Sequence, residues 1–91
     1  MFLSIVTITY NNLSGLHKTF DSLSSWLSER DNNHWFEWIV IDGGSKDGSV
    51  EFLNRHNHLI DYWVSEPDKG VYNAMNKGIK ASKGDYLWFL N

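Results

Sequence analysis

Residues 36 to 49 read Phe36-Glu37-Trp38-Ile39-Val40-Ile41-Asp42-Gly43-Gly44-Ser45-Lys46-Asp47-Gly48-Ser49 and change abruptly from apolar to polar and glycine-rich. The run from Trp38 to Ile41 is short and mostly β-branched, with no alternation, which is typical of a parallel strand covered on both faces. The carboxylate and glycines after it do not continue a strand. Because ligands of open α/β sheets bind beyond the carboxyl ends of the strands, Asp42 is predicted to lie at a functional edge.

Three more strands and three helices are predicted around this stretch. The other strands are predicted at Leu3 to Thr9, Leu59 to Val64 and Tyr86 to Leu90, the last with the composition of a strand in the middle of a sheet. The helices are predicted from Leu13 to about Leu27, from near Asp47, and from Val71 to Ala81. The polar segment from Ser28 to Trp35 predicts a loop.

More specific predictions concern the start of the second helix and the buried face and end of the third. The Asp47 side chain is expected to cap the second helix. In the third helix Val71, Met75 and Ile79 are predicted to form one apolar stripe, with Ala74 and Gly78 allowing close approach to the sheet. Gly84 suits the left-handed position after that helix.

The alternation of strands and helices predicts an α/β fold in three layers, α/β/α, with a mainly parallel sheet. Right-handed crossovers and a reversal of winding after strand 3 give the strand order 3-2-1-4. The ends of strands 1 and 2 and the loop after strand 3 then face one crevice. The groups expected there are Thr9, Tyr10, Asn11, Asp42 and the loop from Glu66 to Gly70.

Composition limits both the size of the fold and its partners. The 91 residues make one small domain, residues 1–91, whose 5 Trp, 5 Phe and 4 Tyr are a heavy aromatic load. A net charge of −3 without a basic run argues against nucleic acid or an anionic membrane surface as the main partner. The absence of cysteine excludes disulfides and thiolate chemistry. No signal peptide or membrane-spanning helix is expected from the sequence.

Phosphate-binding motifs do not explain the crevice. The turn after strand 1, Tyr10 to Gly15, lacks Gly-x-Gly-x-x-Gly, and the chain has no Walker lysine motif. An aromatic ring and a carboxylate at neighbouring strand ends suit a flat base, with Tyr10 stacking on the ring and Asp42 accepting from a base N–H. In the alternative interpretation, Tyr10 covers the sheet edge and Asp42 caps its own turn.

Four motifs together resemble the amino-terminal half of a family 2 glycosyltransferase. They are Ser4 to Asn11, Ile39 to Ser49, Glu66-x-Asp68-x-Gly70 with its continuation to Ile79, and Gly84 to Asn91. The resemblance implies an inverting GT-A-fold enzyme that transfers a sugar from a nucleotide-diphospho-sugar, UDP- or GDP-linked, to an acceptor. The motifs resemble those of bacterial enzymes of exopolysaccharide, capsule and O-antigen assembly. It also implies a cytoplasmic protein, with peripheral association at the inner membrane face expected for the parent enzyme.

The resemblance also implies roles for single residues. Thr9 and Tyr10 are expected to line the base pocket, and Asn11 is expected to bind the nucleotide beside them. Asp42 is the first of two acids usual in the strand 2 motif, and Gly43 stands in place of the second. Asp68 and Gly70 belong to the nucleotide loop and Asn76 to the following helix, where Met75 replaces an arginine found in many members.

Metal and catalytic residues are expected mostly outside this sequence. Asn91 stands at the place of the first acid of the metal-binding motif, and no other metal ligand is predicted. The resemblance implies a divalent cation, Mg²⁺ or Mn²⁺, for the parent enzyme. The general base and the saccharide acceptor site belong to the carboxyl-terminal half of such enzymes. The 91-residue chain is therefore predicted to be a fragment that binds the donor without turnover, with no catalytic residue of its own.

Two rival functions are weighed beside the transferase. A non-catalytic nucleotide-binding or interaction module would have the same parallel sheet as the transferase but would not transfer a sugar. A flavodoxin-like receiver or flavin carrier needs an acidic pocket or a phosphate loop after strand 1, and Tyr10-Asn11-Asn12 supplies neither. Whichever holds, the apolar strand from Tyr86 to Leu90 has no covering element after it and predicts self-association.

Overall fold

A computed structural model of the chain describes residues 2–30 and 35–91. The strands are β1 (Leu3–Thr9), β2 (Phe36–Asp42), β3 (Tyr62–Ser65) and β4 (Tyr86–Phe89). The helices are α1 (Leu13–Glu29), α2 (Ser49–Arg55) and α3 (Val71–Ala81), with a short 3-10 turn at Asn57–Leu59. Part of the predicted loop from Ser28 to Trp35 lies outside the described residues.

The described strands form one parallel sheet with the order β3-β2-β1-β4, which confirms the predicted topology. β1 and β2 pair along their whole length, from Leu3 opposite Phe36 to Thr9 opposite Asp42. The two central strands therefore end side by side at the same edge of the sheet.

Both faces of the central strand β2 are covered, as its apolar run predicts. On one face Ile5, Trp38 and Val40 pack with buried residues of α1 and α2. On the other face Val6, Ile39 and Ile41 pack with Ala74 of α3. All seven residues of β2 are buried, so the three-layer α/β/α arrangement is confirmed.

The predicted apolar stripe of α3 is wrong. Val71 is 65% exposed and Ile79 is 48% exposed, whereas Ala74 and Gly78 are the buried residues of the helix. A methyl group on Gly78 would lie 2.5 Å from Val6 Cγ1. The helix packs through its smallest residues because its backbone lies almost directly on the sheet.

The third strand is shorter than predicted because its first residues complete the core under the helices. Leu59 ends the 3-10 turn, whose backbone bonds run from Leu59 N to His56 O and from Ile60 N to Asn57 O. Ile60 is buried against the cluster formed with α1 and α2. Strand pairing begins only where Asp61 N donates to Trp38 O.

Gly84 does not adopt the predicted left-handed conformation, since the described glycines with positive φ are Gly44, Gly48 and Gly70. Its small size serves a close approach instead, because a Cβ there would lie 2.7 Å from Ser4 N and 2.8 Å from Phe2 O. This contact leads into β4, which lies at the edge of the sheet. Tyr86 and Trp88 of β4 are 60% and 44% exposed, unlike the side chains of an interior strand.

Candidate nucleotide site

A cavity of about 400 Å³ lies at the carboxyl edge of the sheet, between the ends of β1 and β4 and the start of α3. Its polar lining comes from Thr9, Tyr10, Asp68, Gly70 and Asn91. Its apolar lining is formed by Ile8, Val71, Ala74, Met75 and Phe89. The volume lies within the range of small-molecule sites, and an apolar wall with a few polar groups is typical of them.

The Asp42 carboxylate is sealed inside the turn that follows β2. The residue is fully buried, and its Oδ2 accepts hydrogen bonds from Gly44 N at 3.1 Å, Ser45 N at 2.8 Å and Ser65 Oγ at 2.7 Å. Its Oδ1 accepts from Ser45 Oγ at 2.6 Å. Asp42 therefore caps its own turn, as the alternative interpretation holds.

This burial corrects the expectation that Tyr10 and Asp42 flank one space. Tyr10 lines the cavity and is 62% exposed, but Asp42 is not part of the lining. The physical reason is that Gly44, Ser45 and Ser65 donate hydrogen bonds to the Asp42 carboxylate. A buried carboxylate is stable only where such donors replace its hydrogen bonds to water.

Asn11 joins the end of β1 to the glycine-rich loop. Its backbone N–H donates to Ser45 Oγ at 2.7 Å, and its side-chain Oδ1 accepts from Lys46 N at 2.9 Å. Its φ of 46° lies in the left-handed region, which asparagine tolerates better than most residues. Asn11 thus positions the loop and does not line the cavity.

Asp47 stabilises the same loop from the other side. Its Oδ1 accepts from the N–H and the hydroxyl of Ser49, the first residue of α2, and its Oδ2 accepts from Leu13 N. The hydrogen bond from the Ser49 hydroxyl holds the pKa of Asp47 below its usual value. The helix begins two residues later than predicted, and Gly48, with φ of 100°, is its N-cap.

The loop before α3 presents Asp68 and Gly70 to the cavity. Asp68 Oδ1 accepts from Gly70 N at 3.0 Å, and Asn73 Oδ1 accepts from Lys69 N at 3.0 Å. Gly70 is the N-cap of α3, and its φ of 115° requires glycine. The start of the helix, where the macrodipole is positive, therefore lies at the rim of the cavity.

Asn91 lines the cavity but is held as part of the sheet. Its Oδ1 accepts from Ile8 N at 3.1 Å, which extends the β1–β4 pairing by one hydrogen bond. Among residues 2–30 and 35–91 no group of three or more His, Cys, Asp or Glu side chains is arranged to hold a metal ion. The residues present do not fit a complete divalent-cation site.

The predicted site residues therefore divide into two groups. The structure brings Thr9, Tyr10, Asp68, Gly70 and Asn91 together around one cavity. Asn11 and Asp42 support the adjoining loop, and Asn76 is exposed on α3 and does not line this cavity. Sequence reasoning missed the side-chain donors to Asp42, Ser45 and Ser65. A small hydroxyl residue shortly after a strand-end Asp is a recognisable turn signal for Ser45, whereas no local signal indicates Ser65.

A second cavity, of about 660 Å³, is lined by Phe2, Glu37, Asp61, Tyr62, Val64, Glu66, Lys77, Lys80, Ala81 and Lys83. Its acidic groups already have partners in the fold: Glu37 accepts from Ser4 Oγ and Lys83 N, and Glu66 pairs with Lys77 at 3.1 Å. Of the groups predicted for the crevice, Glu66 alone lines this second cavity. The cavity at the strand ends is the better candidate site.

Within the described ranges, no helix combines the length and the apolar character needed to cross a membrane.

The chain is similar to glycosyltransferases in both sequence and fold. It is 45% identical over 88 residues to an uncharacterized glycosyltransferase of Mycobacterium tuberculosis, covering 97% of this chain but only 32% of that protein. Two solved structures share the fold at 19% identity and TM-scores of 0.75: TarS of S. aureus in complex with UDP-GlcNAc and the mannosyltransferase PcManGT of Pyrobaculum calidifontis in complex with GDP-Man and Mn²⁺. The chain covers 26% and 25% of these structures, which in turn cover 99% and 93% of it.

The family model described as "Glycosyl transferase family 2" matches residues 4–91. This range includes every element of the sheet except the first residue of β1. The chain belongs to glycosyl transferase family 2.

Proposed function

We propose that this chain forms the donor-binding part of an inverting glycosyltransferase, which transfers a sugar from a nucleotide-diphospho-sugar to a polysaccharide or lipid-linked acceptor. The observation that carries the proposal is the cavity at the carboxyl edge of the sheet, where Thr9, Tyr10, Asp68 and Gly70 meet. Family membership and the nucleotide-sugars bound by TarS and PcManGT support the donor class.

The chemistry of the cavity suits a nucleotide. The exposed ring of Tyr10 offers a stacking surface for a base. The start of α3, at Gly70, favours negative charge and so suits the diphosphate. Thr9 lines the cavity, and its Oγ1 is buried and has no hydrogen-bond partner among the described residues.

The remaining roles follow from the family pattern. Asn76, exposed on α3, is proposed to contact the nucleotide only in the assembled enzyme. A divalent cation is proposed for the parent enzyme and would take further ligands beyond Asn91, because Asn91 Oδ1 already accepts from Ile8 N. We place that enzyme in the cytoplasm, in the synthesis of cell-envelope polysaccharide.

We expect the 91-residue chain to bind UDP and GDP weakly in calorimetric titrations with Mn²⁺ or Mg²⁺, because the described residues form no complete metal site. Tyr10→Ala should weaken binding at least about fivefold, since stacking on an aromatic ring contributes roughly 1 to 3 kcal/mol per base. Tyr72→Ala, at a residue that is 83% exposed and outside the cavity lining, is the matched control. Tight binding without metal, or equal effects of the two variants, would contradict the proposal.

A second copy of the chain is the expected partner of the outer edge of β4, beside which the described residues place no further strand. One side of β4 pairs with β1, and Leu87 and Trp88 are 38% and 44% exposed. Unpaired edges with apolar side chains recruit other strands. Analytical ultracentrifugation at micromolar concentration should show dimers or larger species, and Trp88→Lys should shift them to monomer. A clean monomer of the unmodified chain would refute self-association.

A further inference from the structure

We propose that Asp68 supplies the hydrogen-bond acceptor that recognises the base, and that this acceptor selects uracil. The inference rests on the proposed function and specifies it, because it names the residue and the base. Asp68 would then accept the hydrogen bond from the base N–H, which the buried Asp42 cannot do.

The geometry around Gly43 places the Asp68 carboxylate beside the Tyr10 ring. A methyl group built on Gly43 would lie 3.0 Å from Asp68 Oδ2, 3.2 Å from Tyr10 Cδ1 and 3.4 Å from Tyr10 Cβ. Asp68 therefore lies across Gly43, in the space that a side chain at position 43 would enter. The glycine leaves room for a carboxylate that arrives from the loop after β3.

The two oxygens of Asp68 have different partners. Oδ1 accepts from Gly70 N at 3.0 Å, which fixes the orientation of the carboxylate. For Oδ2, the oxygen toward Gly43 and Tyr10, no donor is found among the described residues, whereas Asp42 accepts four hydrogen bonds. One charged acceptor, held in place and free at the cavity, is what a base N–H requires.

A single free carboxylate oxygen distinguishes the bases by their hydrogen-bonding edges. Uracil presents one N–H between two carbonyl groups, so one acceptor matches it. Guanine presents two adjacent donors and is best matched by both oxygens of a carboxylate, one of which already serves Gly70. Cytosine presents an unprotonated ring nitrogen that repels the carboxylate. The expected order of affinity is UDP, then GDP, then CDP.

The test is to titrate UDP, GDP and CDP into the ¹⁵N-labelled 91-residue chain and its Asp68→Asn variant, with binding followed by NMR chemical shifts. The asparagine retains Oδ1 for Gly70 N and replaces the free oxygen with an N–H₂ donor. We expect UDP affinity to fall about tenfold or more, and the preference for UDP over CDP to disappear or reverse. A purely structural role for Asp68 would weaken all three nucleotides equally.

Two further variants distinguish the loss of the base contact from a general effect of charge or of folding on nucleotide binding. Glu66→Gln removes the same charge from the same loop, but Glu66 pairs with Lys77 and lines the other cavity, so the order of nucleotides should not change. Gly43→Ala should displace the Asp68 carboxylate by a few tenths of an ångström and weaken UDP binding more than CDP binding. If Asp68→Asn and Gly43→Ala both bind the three nucleotides with the original affinities, the inference about Asp68 is wrong. The proposal that the chain binds a nucleotide is then unaffected. If the unmodified chain binds none of the three, the proposed function fails.

Discussion

Replacing Asp42 with alanine is expected to destabilise the chain by about 3 to 5 kcal/mol, because two backbone N–H groups and two hydroxyls lose their shared acceptor inside the fold. Domains of this kind are stable by only about 5 to 15 kcal/mol in total. The melting temperature should fall by roughly 12 to 40 °C in a circular dichroism experiment.

Asp42→Asn is the matched control for this prediction. The amide oxygen takes the place of Oδ2, and the amide N–H₂ donates to the Ser45 hydroxyl, so most of the network survives. We expect a loss within about 1.5 kcal/mol and unchanged UDP affinity, since Asp42 does not line the cavity. If Asp42→Ala is as stable as the unmodified chain but loses nucleotide binding, the carboxylate is a base contact and not a turn cap.

Some features of the candidate site can be predicted from the sequence, whereas others depend on the packing of residues that are distant in the chain. The position of Asp42 at the end of a central strand follows from the apolar run before it. Gly44 and Ser45 supply three of the four donors to its carboxylate, so the turn itself directs the side chain. Only the fourth donor, Ser65, lies 23 residues away, on the strand β3 that pairs with β2. Similarly, no local pattern shows that Asp68 lies across Gly43, because the two residues are on loops that follow different strands.

The fold was more predictable than the faces of its elements. Strand order followed from right-handed crossovers and one reversal, and the bounds of α3 were predicted correctly. The predicted close approach at Ala74 and Gly78 is confirmed, but the apolar stripe of α3 was predicted wrongly because apolar periodicity gives weight to large residues. Gly78 and Ala74 bring the helix so close to Val6 that large side chains are displaced to its flanks. Propensity and periodicity do not measure the distance between a helix and a sheet.

Trp38 links the core to the end of β4 where the cavity begins. The residue is fully buried, and its Nε1–H donates to Thr7 Oγ1 at 3.0 Å. The Thr7 hydroxyl donates in turn to Leu90 O at 2.7 Å, and Leu90 N donates to Val6 O at 2.9 Å. This chain of hydrogen bonds crosses from β2 through β1 to the residue before Asn91. The core therefore also positions the cavity wall.

Trp38→Ala is expected to cost about 3 to 5 kcal/mol, the usual range for removing a large buried aromatic side chain. Trp38→Phe keeps most of the packing and loses the bond to Thr7, so we expect a loss of about 1 to 2 kcal/mol. Trp26→Ala, the same change at a residue that is 43% exposed, should cost clearly less than Trp38→Ala. Urea unfolding followed by circular dichroism measures all three. Equal losses for the two alanine variants would mean that the core is not centred on β2, and the account of how it supports the cavity would then fail.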